Sequence, residues 1–284
     1  MPLRELAWHW ARFFIPSHWE ISQYSVPPEQ GRLPFYSKDG LCGTLSWRIV
    51  DGTPDHERIQ TEICRRSLLT KNNSSDIESP VMLFETCGQF NLGVCEKANL
   101  ALGSLHFPEC RLLLEWVFHL KTTPIGHLKD ILLSYQPNVE QQRHWSFQDF
   151  HLQLPDTYHP SSVNIFPGNT TVCFETHRKG TLTLRRWALP DELLGDRNLL
   201  DFGQWLMGKY NRKVIHGELG EHNSFEASKF RFKEKGSLGF EGLIGLGWEG
   251  DATIWKDTQA QRVFAFERYG PKGYTHPKLQ EVWV

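Results

Sequence analysis

The sequence has no uninterrupted apolar run near the ~18 residues that a membrane-spanning helix needs, so no integral membrane segment is expected. It has no excess of either charge: 31 Lys and Arg face 33 Asp and Glu, a formal net charge of −2. A general nucleic-acid binder needs a surplus of basic residues to displace counterions from phosphates, and that class is set aside. The one basic cluster, His177-Arg178-Lys179 followed by Arg185-Arg186, reads as a solvated hairpin tip. Met1 to Trp8 shows no basic stretch leading into an apolar one, so no signal peptide is expected.

Cysteine is sparse and irregular. Cys42, Cys64, Cys87, Cys95 and Cys110 fall in the first half and Cys173 alone in the second. An odd count in each half opposes a disulfide framework, and the expectation is reduced, mostly buried thiols in a cytoplasmic protein. The sequons at Asn72, Asn73 and Asn169 are then chance matches. The motifs G-x-S-x-G, H-E-x-x-H and H-x-x-E-H are all missing. Gly245-Leu246-Gly247-Trp248-Glu249-Gly250 matches G-x-G-x-x-G by letter. A dinucleotide site needs a helix after that turn, whereas Ala252-Thr253-Ile254-Trp255 reads as a strand, so the segment is a flexible glycine-rich connection. No cofactor is expected.

What the chain does have is a repeat. His9-Trp10 leads to Ile15-Pro16, Trp19, Gly31, Gly43-Thr44-Leu45, Arg48 and Pro54-Asp55. His144-Trp145 leads to Leu154-Pro155, Tyr158, Gly168, Gly180-Thr181-Leu182, Arg185 and Pro190-Asp191. The steps from proline to aromatic and from glycine to glycine are equal in the two copies. A repeat of this length means two similar modules rather than one enzyme core. The 284 residues suffice for two domains of about 140 residues. They are placed at 1–138 and 143–284, with Pro137 to Gln142 as a polar linker.

Within the first module, Gly31–Ser37 and Leu41–Val50 read as a hairpin around Lys38-Asp39-Gly40. A helix runs from Pro54-Asp55 to about Leu69, then a polar loop from Lys71 to Asp76. Three more strands follow, the clearest at Arg111–Leu120, where Leu112, Leu114, Trp116 and Phe118 alternate. A short helix at His127–Tyr135 closes the module. The second module replays the order with strands at 147–154, 170–176, 180–187, 214–219, 227–233, 252–255 and 262–269. Its helix at 197–210 directs Leu199, Phe202, Trp205 and Leu206 to the sheet, and a helical stub spans 278–283. Many strands joined by short turns, with few helices, give the α+β class: two tandem modules, each an antiparallel sheet against one long and one short helix. Such copies can pack as a pseudo-twofold pair.

Two groups of residues are candidates for function. Aromatics at Trp8, Trp10, Trp19, Trp145 and Tyr158 crowd equivalent segments, where they serve either as core or as a groove for a partner's apolar segment. In the second module His216, Glu218, Glu221 and His222 could ligate zinc, with His216 and Glu218 on one face of a strand. An exposed polar strand is the plainer reading of the same residues. His9 and His144, each before a Trp, recur with the repeat and suggest packing.

Phe150-His151-Leu152-Gln153-Leu154-Pro155-Asp156-Thr157-Tyr158 followed by Ser162-Val163-Asn164-Ile165-Phe166 resembles the opening of the PsbP-like and DcrB-like superfamily, which includes Eag-type secretion chaperones. The first module keeps the step in Ile15-Pro16-Ser17-His18-Trp19 but has Ser25-Val26-Pro27-Pro28 where the second strand's pattern belongs. The resemblance implies an apolar strand, Leu-Pro, an aromatic, a second strand, then a helix and an antiparallel sheet. It also implies a binding or assembly module without a shared catalytic constellation, and it transfers no site residue. The expectation is a non-enzymatic adaptor, chaperone or assembly subunit with a protein partner. The alternative is an enzyme or a ligand- or metal-binding protein with its site around His216–His222.

Overall fold

In the computed structural model of the chain, residues 2–72, 81–138, 141–177, 180–234, 247–272 and 274 are described. The chain forms two compact units, the first ending at Leu154 and the second beginning at Pro155. The division lies later than the linker read from the sequence.

The first unit opens with a hairpin, β1 (Leu3–Trp8) and β2 (Ala11–Pro16), turned at His9 with φ +48°. Next come β3 (Glu20–Ile21), β4 (Gln30–Ser37), β5 (Gly40–Ile49) and helix α1 (His56–Asn72). Four strands follow α1, one more than expected: β6 (Leu83–Cys87), β7 (Phe90–Cys95), β8 (Leu100–Phe107) and β9 (Leu112–His119). Two reasons explain the miscount. Gly93 interrupts the apolar pattern of β7, and β8 starts with a continuous buried run, which carries no period-two signal. Helix α2 (Ile125–Leu133), β10 (Gln136–Pro137), β11 (Gln142–Phe147) and β12 (Phe150–Pro155) complete this part of the chain.

The described residues of the expected linker begin at Pro137 in β10 and end at Gln142 in β11, two strands of one sheet. β10 pairs with β2, and the buried Asn138 amide donates to the carbonyls of His9 and His144 at 3.0 and 2.7 Å. The five-stranded order is β10-β2-β1-β11-β12. Its centre is the antiparallel pair β1 and β11, where Ala7 lies opposite Ser146. Each is the next-to-last residue of a six-residue strand before a turn with a positive φ, at His9 and at Gln148 (+53°). The two hairpins therefore meet through residues at the same place in their first strands. This also corrects the alignment of His9 with His144: His9 sits in a turn whose counterpart is Gln148. The proline-to-aromatic step is one structure in both copies, with Trp19 N–H donating to Pro16 O at 3.0 Å and Tyr158 N–H to Pro155 O at 2.9 Å.

The larger sheet of the first unit has the order β3-β4-β5-β9-β8-β7-β6. Alternation along β9 sends Trp116 and Phe118 to one face and Glu115 and Val117 to the other. The first face meets the five-stranded sheet, with Phe13 set edge-on to Trp116 at 5.1 Å and Phe35 stacked on it at 5.0 Å. The second face carries α1, whose Cys64 and Leu68 pack on Cys95, Leu100 and Leu102.

The second unit contains β13 (His159–Phe166), β14 (Asn169–Glu175), β15 (Thr181–Ala188), α3 (Pro190–Leu194), α4 (Leu199–Lys209), β16 (Arg212–His222), β17 (Phe225–Glu234), β18 (Trp248–Asp257) and β19 (Arg262–Pro271). Its order, β13-β14-β15-β19-β18-β17-β16, matches that of the first unit's larger sheet strand for strand. Asn198 starts α4 by accepting the Asp201 N–H at 2.8 Å, a side-chain cap. Leu199, Phe202, Leu206 and Met207 bury against Phe230, Phe232 and Ile254. A Cβ at Gly203 would run into the Phe230 ring, so the closest approach of helix to sheet requires glycine there. Trp205, expected to face the sheet, is 46 % exposed, because it falls on the outer side of the helix. The paired strands are antiparallel and the class is α+β. The stub at 278–283 lies outside the described residues, as do Arg178, Lys179, Gly245 and Leu246. Trp248 to Gly250 belong to β18, so no helix follows the glycines.

Candidate functional site: an open sheet edge and its charged face

In the second unit α4 covers the sheet face bearing Phe230, Phe232, Ala252 and Ile254. Alternation places Lys229, Arg231, Asp251 and Arg268 on the other face. Register sets His216 opposite Arg231, Arg231 opposite Asp251, and Asp251 opposite Arg268, a polar row across four strands. Arg268 donates to Asp251 at 2.8 Å. These residues, with Glu218 and Lys229, line a cavity of about 460 Å³.

The four residues considered as metal ligands lie on β16 but do not converge. His216 Nε2 is 3.4 Å from Glu218 Oε2, both exposed. Glu221 falls on the opposite side of the strand, and the His222 ring packs 4.5 Å from Trp255, where burial lowers its pKa. Among the described residues no three His, Cys, Asp or Glu side chains are grouped as a metal site.

The aromatic candidates divide differently. Trp8, Trp19, Trp145 and Tyr158 are buried. Trp8 contacts Trp145 edge-on at 5.3 Å, and Trp19 lies 5.7 Å from Phe35. These rings are core and present no contact surface. Trp10 is half-buried, its Nε1 donating to Pro28 O at 2.7 Å, with the Arg143 guanidinium 5.0 Å above the ring.

Exposed apolar side chains occur at several places, Phe166 on β13 and Leu189 among them, and five of them lie at or beside the equivalent edge of the two larger sheets. β6 and β16 end their sheets in the same topological position. Leu83 and Phe84 are exposed on β6, and Val81 just before it. On β16, Ile215 and Leu219 are 56 % and 54 % exposed. Ile215 is the extra residue of a bulge between Val214 and His216, which pushes its side chain out of the alternation.

Two charged constellations were not legible as sites in the sequence. Arg48 Nε donates to Glu115 at 3.0 Å, and Arg185 Nε to Glu267 at 2.8 Å. Arg212 also pairs with Glu267, and its guanidinium lies 4.6 Å from the Phe232 ring and 5.0 Å from that of Tyr269. Arg48 and Arg185 do recur in the repeat. The overlooked signal is a single Glu within each apolar strand, in Leu114-Glu115-Trp116 and Phe266-Glu267-Arg268. Beside the first of these, His56 Nδ1 is 2.7 Å from Ser104 Oγ, and Gln60 donates to the same oxygen at 2.8 Å. Burial lowers the pKa of His56. Ser104 is buried, so this pair has no access to a substrate and serves packing.

No protein-family model matches the chain, and no curated protein matches it. Among solved structures it is similar to cyanobacterial PsbP (CyanoP) from Synechocystis, with a TM-score of 0.37 and 13 % identity over 47 % of this chain and 82 % of that one. It is similar to the Ran-binding protein Mog1p of Saccharomyces cerevisiae, TM-score 0.33 and 6 % identity over 46 % of this chain and 77 % of that one. It is also similar to the type VI secretion immunity protein TplEi of Pseudomonas aeruginosa, TM-score 0.36 and 8 % identity over 98 % of this chain and 90 % of that one.

Proposed function

We propose that the chain is a non-enzymatic protein-binding adaptor or assembly subunit of two repeated α+β modules. Its partner adds an extended segment alongside β16, with side chains reaching the charged face of β17 and β18. The observation that carries this reading is the edge itself. β16 is an eleven-residue strand at the end of its sheet, and two of its large aliphatic side chains are more than half exposed. Edge strands are normally blunted by shortness, charge, a bulge or a cover, because unpaired N–H and C=O groups template another strand; β16 carries charges and a bulge but stays long and keeps two aliphatic side chains exposed. Strand addition uses those groups for affinity and alternate side chains for selection. The exposed apolar residues at the same edge of the first unit, Leu83 and Phe84 on β6 and Val81 just before it, support the reading from the other module.

The test is purification of the tagged chain from its native cells with cross-linking and mass spectrometry, beside the double variant Ile215→Lys and Leu219→Lys. The expected result is a stoichiometric partner cross-linked at Lys213 or Lys229 and lost in the variant. A partner retained unchanged by the variant would remove β16 from the account, and recovery of the chain alone would remove the adaptor.

A further inference from the structure

The two Arg–Glu pairs occupy equivalent places. In the first unit Ser46 lies opposite Glu115, and Arg48, two residues along β5, reaches back to it. In the second unit Thr183 lies opposite Glu267, and Arg185, two residues along β15, does the same. Each pair lies on the helix-covered face. The surroundings differ. Glu267 is 1 % exposed, and its second oxygen is taken by Arg212, while the Arg185 guanidinium lies 4.2 Å from the Tyr210 ring. The second unit thus closes its site with a guanidinium from its own chain.

Among the described residues of the first unit no second guanidinium pairs with Glu115. Glu115 is 8 % exposed; among the described residues only the carboxylate oxygen facing Arg48 takes a hydrogen bond, and the His56 ring is the other group near enough to feel its charge. Beside Glu115, between α1 and the sheet, is a cavity of about 600 Å³ lined by Arg48, Asp55, Arg58, Ile59, Ile63 and Glu115, among others; Arg58 lines it without an ion pair to Glu115 among the described residues. Arg66, also on the cavity, is held by Glu62. Arg212 comes from the residues that lead from α4 into β16. The corresponding stretch from Asn72 to Leu83 contains no arginine or lysine. The chain therefore supplies no counterpart cation from there.

We propose that this cavity is a binding site for a guanidinium group, with Glu115 as its acceptor, occupying the position that Arg212 occupies in the second unit. A nearly buried carboxylate with an unused oxygen favours a planar, multi-donor cation over water, and a fork of N–H donors matches it better than an ammonium does. Arg48 orients the carboxylate, and Asp55 adds a second negative charge at the rim. Ile59 and Ile63 give the aliphatic stem an apolar wall. This site is separate from β16 and stands independently of the strand-addition reading.

The experiment is isothermal titration of the full chain with N-acetyl-arginine methylamide, the matching lysine derivative, free arginine and inorganic phosphate. The blocked arginine should bind saturably, the lysine derivative at least about tenfold more weakly, and phosphate not at all. Glu115→Gln should weaken the arginine derivative at least about tenfold. Ile59→Arg, which supplies the missing cation from α1, should abolish binding even if the glutamine variant folds poorly. Tighter binding of free than blocked arginine would assign the site to a small metabolite, and the reverse to a partner's side chain. No saturation by either arginine probe, equal affinity in Glu115→Gln, or preference for phosphate would overturn the assignment.

Discussion

Arg185 donates to Glu267 along the same cross-strand diagonal that joins Arg48 to Glu115. The two pairs are chemically alike but buried to different extents, and that difference decides their energetic weight. Glu267 is enclosed with two arginines, so removing its charge strands both guanidinium groups in a low-dielectric site. Breaking a buried pair in this way costs about 3–5 kcal/mol, whereas a half-exposed pair is worth about 0–1 kcal/mol. Glu267→Gln is therefore expected to lower the urea midpoint of the second unit steeply. Arg48→Ala strands one carboxylate that opens onto a cavity rather than two enclosed guanidinium groups, so it should move the first unit less than Glu267→Gln moves the second. Equal effects would contradict the burial argument.

Acid should weaken the fold before carboxylates titrate. Burial lowers the pKa of both His56 and His151, the latter with its Nδ1 2.8 Å from Ser146 Oγ. The folded chain holds these rings neutral to a lower pH than the unfolded chain does, which protonates them at about pH 6.5. Above that pH the two states bind the same protons at these sites. As the pH falls below it the unfolded state gains protons first, so stability is lost. Urea unfolding between about pH 7.5 and about pH 5.5 should show the decline, and His151→Asn should flatten it. An unchanged slope in that variant would assign the acid sensitivity elsewhere.

The thiols should react in two classes. Cys42, Cys64, Cys87 and Cys95 are buried, and Cys110 and Cys173 are partly exposed. Burial, then the neighbouring Cys95, pushes the Cys64 thiol up to about 12. A thiol reacts as the thiolate, so alkylation under native conditions should mark Cys110 and Cys173 first. The other four should follow only on unfolding. Early labelling of Cys64 would show that α1 opens from the sheet.

The sequence made some of this visible and concealed the rest for physical reasons. Strand β9 was readable because Leu112, Leu114, Trp116 and Phe118 keep strict alternation beside a single charged Glu115. The hairpin at Gly40 was readable from Asp39-Gly40, and its glycine has φ +112°. The glycines aligned by the repeat do different work: a Cβ at Gly31, inside β4, would collide with the Trp47 ring, whereas Gly168 turns just before β14 with φ +77°. By contrast, the segment taken for a linker contains Asn138, and nothing local shows that its amide ties His9 to His144. Trp8 and Trp145 look the same in sequence as core or as contact surface, because only the second sheet layer settles which. The exposure of Ile215 depends on a bulge, and the pairing of Glu267 joins residues 82 apart in sequence, so neither leaves a periodic trace.

Aromatic substitutions should divide along the same line. Trp116 is fully buried between Phe13, Phe35 and Phe118. Trp116→Ala should cost about 3–5 kcal/mol. Trp205 stands outside α4 with Arg197 and Lys209 near its ring, at 5.0 and 5.3 Å. Its loss should cost about 1 kcal/mol or less. Thermal unfolding of the two variants checks the assignment of core and surface, and a large loss for Trp205→Ala would contradict it.

The central claim is that the open edge at β16 receives a partner's strand. The most direct measurement is hydrogen exchange of the backbone amides of Arg212–His222 in the chain alone and in its native complex. Addition of a strand predicts that alternate amides along β16 become protected in the complex while those of β15, paired on both sides, do not change. A complex that leaves every β16 amide exchanging at its free rate would contradict the account.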